Sequence, residues 1–140
     1  MSRYAEFETE LRDEHFLVCA LKAMGYECEV HATPQTLFGY LGDARAEKAN
    51  VIIRRHNTGI GSSNDIGFVR DGVGKPFRAI ISEYDQSAKF DTAWMGLLKQ
   101  RYTEERTIAT ARQRGYRFDR REEVDTEKGK AVRLLFSVRG

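Results

Sequence analysis

The sequence predicts an α+β fold: a two-layer sandwich in which two long helices cover one face of a mainly antiparallel sheet of about six strands. Three observations predict it. Two segments, Ala5–Met24 and Asp91–Arg114, carry apolar residues at three-, four- and seven-residue steps, the period of a half-buried helix. Between them, Asn50–Glu83 (NVIIRRHNTGIGSSNDIGFVRDGVGKPFRAIISE) reads as three short apolar runs. Gly-rich connections too short for parallel crossovers join them. Each helical segment ends in a Gly-Tyr pair, Gly25-Tyr26 and Gly115-Tyr116, and then alternates with period two. The expected order is α-β-β-β-β-α-β-β.

A chain of 140 residues reads as a single domain, residues 1–140, able to bury a core without disulfides or a metal. Hydrophobic content of 41% with 31% charged residues excludes wholesale disorder. The net charge of +2, from 23 basic and 21 acidic residues, does not demand a nucleic-acid partner, although a local basic patch remains open. Cys19 and Cys28 make no disulfide framework and no metal-ligand spacing, and read as reduced core thiols of a cytoplasmic protein. No apolar run follows a basic head at the start, so no signal peptide is expected. No stretch approaches the roughly 20 apolar residues of a membrane span. No cofactor is implied.

The first helix is expected from Ala5 to Met24, burying Phe7, Leu11, Leu17, Val18 and Leu21, with Glu6, Glu8, Glu10, Arg12, Asp13 and Lys22 in solvent. Tyr26–His31 follows as a strand that faces Tyr26, Cys28 and Val30 inward. Pro34, Gly39 and Gly42 interrupt Thr33–Ala49, which reads as a loop over the core or at the rim of a site. Val51–Arg55, Ile66–Arg70 and Phe77–Ser82 are consecutive strands, turned at His56–Asn64 and Asp71–Lys75. Asp91 caps the second helix, which buries Trp94, Leu97, Leu98, Tyr102, Ile108 and Ala109. Arg112 and Arg114 in its last turn complement the helix dipole. In the next strand Tyr116, Phe118 and Arg120 face away from Arg117, Asp119 and Arg121. The last, Ala131–Arg139, sets Val132, Leu134, Phe136 and Val138 on one face.

The order and spacing of ALKAMGYECEV, ANVIIRR, NDIGFV and QRYTEERTIATARQRGYRF resemble one uncharacterised family over nearly the whole chain. It includes a hypothetical plastid open reading frame, number thirty-five, with relatives in cyanobacteria, other bacteria and phages. The resemblance implies no activity. Through gene neighbourhood it implies an AAA-type ATPase as a partner. The HNTGIGSSN connection is longer here, so a ligand role placed there does not come from the family.

The strongest local candidate is the basic Gly-rich loop. Arg54, Arg55, His56, Asn57, Gly59, Gly61, Ser62 and Ser63 can aim backbone N–H groups and guanidinium charge at a phosphate. Arg70 and Arg78, on neighbouring strands, join the candidate set. The loop lacks the Gly-Lys-Ser/Thr ending and following helix of a Walker loop, and such clusters also serve as plain turns. His15, His31 and His56 have no metal-ligand partner at a familiar spacing. His56 is a candidate donor to an anion or general base. Glu83-Tyr84-Asp85 offers an acid–base pair, a divalent-metal ligand or an ordinary cap. Ser62, Ser63 and Ser82 lack a nucleophile-elbow context.

Three readings follow. The first is a non-catalytic protein that captures a phosphate-bearing ligand such as a nucleotide. The second is an adaptor that docks on a larger partner, such as an ATPase, through an open sheet edge or Leu37–Leu41, and predicts an exposed apolar patch. The third is an enzyme using His56, Glu83 or Asp85. Single-stranded nucleic acid on Arg117, Phe118, Arg120, Arg121, Arg133, Phe136 and Arg139 is a further alternative, weakened by the alternation that separates aromatics from arginines. An open edge strand also allows a homo-oligomer.

Overall fold

In the computed structural model, which describes residues 2–138, the chain forms two compact units, one running to Tyr102 and one starting at Thr103. The first holds β1 (Tyr4–Glu8), α1 (Glu14–Ala23), β2 (Glu29–Phe38), β3 (Ala44–Ile53), β4 (Ile66–Val69), β5 (Arg78–Ser82) and α2 (Glu83–Ala88). It also holds the first half of α3 (Thr92–Gln113); the rest of α3, with β6 (Tyr116–Thr126) and β7 (Gly129–Val138), makes up the second. The α+β class holds. The strands divide into a five-stranded antiparallel sheet, ordered β1-β5-β4-β3-β2, and a separate β6-β7 hairpin, not one sheet of about six.

Strand alternation sorts the first unit's core onto two faces. Val51, Ile53, Ile66, Phe68, Ala79 and Ile81 meet Leu17, Ala20 and Leu21 of α1 and Trp94, Leu98 and Tyr102 of α3, so two helices do cover one face. Each fully buried large apolar side chain contributes about 1.5–3 kcal/mol. The opposite face carries a smaller cluster of Leu37, Ala49, Ile52 and Ile80. Gly67 stands in register between Ile52 and Ile80. A Cβ on it would lie 2.5 Å from that of Ala49 and 3.2 Å from both Leu37 methyls, so only glycine fits this row.

Several expectations are corrected. The helix expected from Ala5 starts after Asp13, which accepts the Phe16 N–H at 3.3 Å. Residues 4–8 instead form β1, paired with β5 from Tyr4↔Ser82 to Glu8↔Arg78. The Thr9 hydroxyl, bonded to the Phe77 carbonyl (2.5 Å) and the Leu11 N–H (3.1 Å), holds the turn between strand and helix. Phe7 and Leu11, four apart, mimic a helical stripe although they belong to different segments.

Thr33–Ala49 is mostly strand, β2 running through Pro34 and β3 starting at Ala44. As an edge strand β2 can spare the proline's missing donor, at the cost of two register shifts. On β2, Val30 is exposed, not inward.

β3 stops at Ile53, leaving Arg54 and Arg55 outside it, and Arg55–Asn57 forms one 3-10 turn. Arg70 likewise lies just past β4. Glu83 and Asp85 do not close a strand but begin α2, where the Ser82 hydroxyl accepts the Asp85 N–H at 3.1 Å.

In the hairpin, a bulge between Phe118 and Arg120 shifts the phase. It puts Arg121 on the side of Phe118 and Phe136, where Arg120 was expected. Arg121 Nε reaches Glu104 Oε1 at 2.6 Å, which explains how a guanidinium is held there. Leu97, expected to be buried, faces solvent. Asp91 does cap α3, accepting the Trp94 N–H at 3.0 Å. Gly25 and Gly115 do follow α1 and α3, at φ +94° and +89°. Arg139 lies outside the described residues.

Candidate functional site

The Arg54–Asn64 loop leaves the end of β3 and is tied down by two buried carboxylates. Arg54 turns its guanidinium back to the sheet. Nε and Nη2 each donate to Glu29 at 2.9 Å, and Nη1 donates to Asp65 Oδ2 at 2.8 Å and to the Thr36 carbonyl at 3.0 Å. The hydrogen bond from Arg54, with a second from His31, holds the Glu29 carboxyl down at about 2. Asp65, with a side chain 2% exposed, also accepts the backbone N–H of Arg55 at 2.7 Å and of Phe38 at 2.8 Å. Its carbonyl accepts the Tyr4 hydroxyl at 2.7 Å. Burial, then the charge of Asp65, raises the Tyr4 phenol above its usual range.

Asp85, fully buried at the start of α2, holds the other end. It accepts the Ser63 hydroxyl at 2.6 Å, the Ser82 hydroxyl at 2.7 Å and the Asn64 N–H at 3.1 Å. The Asn64 side chain donates to Ser82 at 3.0 Å and accepts the Tyr40 N–H at 2.8 Å, so it joins the β2–β3 turn to the loop. Inside the loop, the Thr58 hydroxyl bonds the Arg55 carbonyl at 3.0 Å, and Gly59 takes φ +83°, where a side chain would be strained.

The predicted residues therefore separate. Arg54 and Ser63 are internal ties. Arg70 stacks on Phe77 (4.8 Å to the ring centre) and reaches Glu14 at 3.4 Å; Arg78 pairs with Asp71 at 3.0 Å and Glu6 at 3.5 Å. Arg55, His56, Asn57, Gly59 and Gly61 remain at or near the loop surface. Among the described residues, neither Arg55 nor His56 has an acid within 4.0 Å. Lys89 Nζ lies 3.6 Å from where a Gly59 Cβ would sit. Ser62 bonds the Tyr84 hydroxyl.

Ser62 also borders a cavity of about 350 Å³ shared with Tyr40, Leu41, Asp43, Arg45, Asn64 and Tyr84. The β2–β3 turn forms one wall, closed by Gly39 N–H to the Asp43 carbonyl at 2.8 Å. Leu41 at its tip is 75% exposed. Both Asp43 carboxylate oxygens are buried without a hydrogen bond among the described residues; Arg45 Nε stands 4.0 Å away. Sequence reasoning missed Glu29, Asn64, Asp65 and Asp85 as one polar system. The available signal was Asn64-Asp65 placed directly before an apolar strand.

His15 sits 3.6 Å from the Cys19 sulfur, and His31 2.8 Å from Glu29. Neither cysteine is in a disulfide; both are half-buried, and burial raises the Cys28 thiol. Among the described residues, no group of three or more His, Cys, Asp or Glu is placed to hold a metal ion. Among the described residues, no helix is long and apolar enough to cross a membrane. In the hairpin, Arg117 pairs with Asp119 (3.0 Å) and Arg120 with Glu122 (2.6 Å).

Comparison with curated proteins gives no match, and neither does comparison with solved structures. A family model described as Protein of unknown function (DUF1257) matches residues 20–134, from α1 through the buried Asn64-Asp65 pair to β7. The chain belongs to the DUF1257 family.

Proposed function

We propose that this is a non-catalytic binding protein, an adaptor that holds a larger partner through the β2–β3 turn. One observation carries the reading. The arginine at the head of the basic loop is spent on Glu29 and Asp65, while the adjoining turn presents Tyr40 and a 75%-exposed Leu41 beside Tyr84 and an open cavity. Apolar side chains held outward next to a pocket are what a partner's anchor residue fills. The likeness to the plastid open reading frame family, with its ATPase neighbourhood, makes a cytoplasmic ATP-driven machine the partner to try first. A photo-crosslinking residue at Leu41, in cells, tests this. A defined partner band that Tyr84→Ala weakens is expected; crosslinking no stronger than from an exposed control site such as Val73 refutes it.

Capture of a phosphate-bearing ligand stands as a second reading, supported by Arg55, His56 and Lys89 gathered at the loop without acid partners. Thermal-shift screening against mono-, di- and cyclic nucleotides decides it. A ligand at 100 times its dissociation constant adds about 2.7 kcal/mol, and Arg55→Ala removes that shift. A flat response ends this reading.

A further inference from the structure

Among the described residues, β1 is the outermost strand of the sheet and pairs only with β5. The Arg3 carbonyl accepts the Glu83 N–H at 2.8 Å, which turns the backbone groups of Arg3, Ala5 and Phe7 toward β5. By the alternation of an antiparallel strand, those of Tyr4, Glu6 and Glu8 point outward and meet no strand. Below this edge lies a groove of about 600 Å³. A second hollow of about 510 Å³ shares Glu8, Thr92 and Met95 with it and continues past Glu10 and Leu11.

The groove combines an apolar lining with an acidic one. Phe7, Phe90 and Met95 supply the apolar part, Glu83 and Asp91 the acids, and Glu8 borders it from the β1 edge, on the strand face that Glu6 shares. Among the described residues, none of these three acids has a lysine or arginine within 4.0 Å. The base beside the second hollow, Lys99, lies 3.3 Å from Glu10 and neutralises it. On the face of β1 opposite Phe7, Glu6 leans on Arg78 at 3.5 Å.

We propose that the β1 edge docks an extended, lysine- or arginine-rich segment of a partner protein, added to the sheet as a further strand. Main-chain bonds to Glu6 and Glu8 supply the register, as in other strand additions. Alternate side chains of the segment project over the groove, where long basic residues lay methylene stems on Phe7, Phe90 and Met95 and carry their charges to Glu83 and Asp91. The remaining side chains stand beside Glu6 and Glu8. A second copy of this chain is a poor occupant, since β1 laid against β1 opposes glutamate with glutamate. The inference rests on the reading of the protein as a partner-binding module, but on a different surface from the Leu41 turn.

The test titrates the full, isotope-labelled chain with two end-blocked peptides, one alternating lysine with valine and one alternating glutamate with valine. The lysine peptide is expected to shift the Glu6 and Glu8 amides and slow their hydrogen exchange. Its affinity should fall about tenfold between low and roughly 0.3 M salt. Charge reversal by Glu8→Lys with Glu83→Lys should weaken binding at least about tenfold, as expected for a complementary charged surface. Glu6→Pro removes an outward N–H and none that faces β5, so it should block binding while Trp94 fluorescence reports an intact fold. Leu41→Asp should leave the titration unchanged. Equal binding of the glutamate peptide, shifts away from β1, or indifference to charge reversal overturns the proposal. Self-association abolished by Glu6→Pro also overturns it, giving the edge to a second copy. Failure here with crosslinking at Leu41 intact removes this site alone, and the reverse outcome removes the Leu41 surface alone.

Discussion

Replacing Arg54 by methionine separates a structural arginine from a ligand-binding one. Methionine keeps much of the apolar stem and removes the charge, so the change falls on Glu29 and Asp65. Glu29 has a side chain 43% exposed, and water takes over most of its solvation. Asp65 is different, because its side chain is 2% exposed and Arg54 is its one cation among the described residues. Breaking a buried pair by removing one partner costs about 3–5 kcal/mol. Asp65 keeps the Arg55 and Phe38 amides, which places Arg54→Met near the lower end, about 3 kcal/mol. At roughly 3 °C per kcal/mol for a chain of this size, the melting temperature falls by about 10 °C. Trp94, the single tryptophan, is buried against Tyr26 and Phe90, so urea unfolding followed by its fluorescence reads the first unit. Adding Asp65→Asn to Arg54→Met should recover part of the loss, since the uncompensated charge is gone. Arg55→Ala, whose guanidinium meets no acid, should stay within about 0.5 kcal/mol of wild type. If Arg54→Met proves as mild as Arg55→Ala, the Asp65 tie is not holding the fold and Arg54 returns to the ligand candidates.

Three further outcomes follow from the same geometry. Gly67→Ala sets a methyl 2.5 Å from the Ala49 Cβ and should cost about 1–3 kcal/mol; Ala49→Gly should restore part of it in the double mutant, read by urea midpoints, and additive losses would show that the contact is not the cause. Asp85→Ala strips the acceptor from Ser63, Ser82 and Asn64 and should cost roughly 3 kcal/mol, with proteolysis appearing first in the Arg54–Asn64 loop; a protease-resistant loop would contradict it. Glu29 is held at about 2 against an ordinary 4.5, so its pair with Arg54 adds stability that is present above about pH 4.5 and lost as pH falls through about 2. Exposure limits this to about 1 kcal/mol, and Glu29→Gln should flatten that part of the acid limb in Trp94-monitored unfolding; identical acid profiles would refute it.

Much of the fold was legible because it rests on local periodicity. Trp94, Leu98 and Tyr102 mark the inner side of α3, and Val51, Phe68 and Ile81 mark strands whatever their partners. What was not legible depends on pairing between distant segments. Residues 4–8 have a helical pattern, but the edge of β5 offers backbone partners that an isolated helix turn cannot match. Pro34 argues against a strand until β2 is known to be an edge, and the hairpin bulge moves Arg121 to the apolar side without any turn residue to announce it. The site was legible only as composition. Gly, Ser and Arg between strands indicate a loop with phosphate-binding chemistry, but Glu29, which takes the Arg54 charge with Asp65, and Asp85, which holds the other end of the loop, lie 25 and 31 residues from Arg54 in sequence.

The buried polar residues concentrate at one end of the sheet, and their connectivity explains why such a costly arrangement persists. Asp65 joins the loop to the end of β2 through the Phe38 amide, Asn64 joins it to the next turn through the Tyr40 amide, and Asp85 joins it to the start of α2. An apolar cluster of similar volume would be at least as stable, but it would not fix three irregular backbone segments, whose amides need acceptors wherever they are buried. The result is that Tyr40 and Tyr84, carried by two different segments, reach the surface around one cavity already held in place. A surface ordered before binding loses less conformational entropy when a partner arrives. The same network that ties Arg54 to Glu29 and Asp65 is what, on the reading proposed above, holds the neighbouring turn ready for contact.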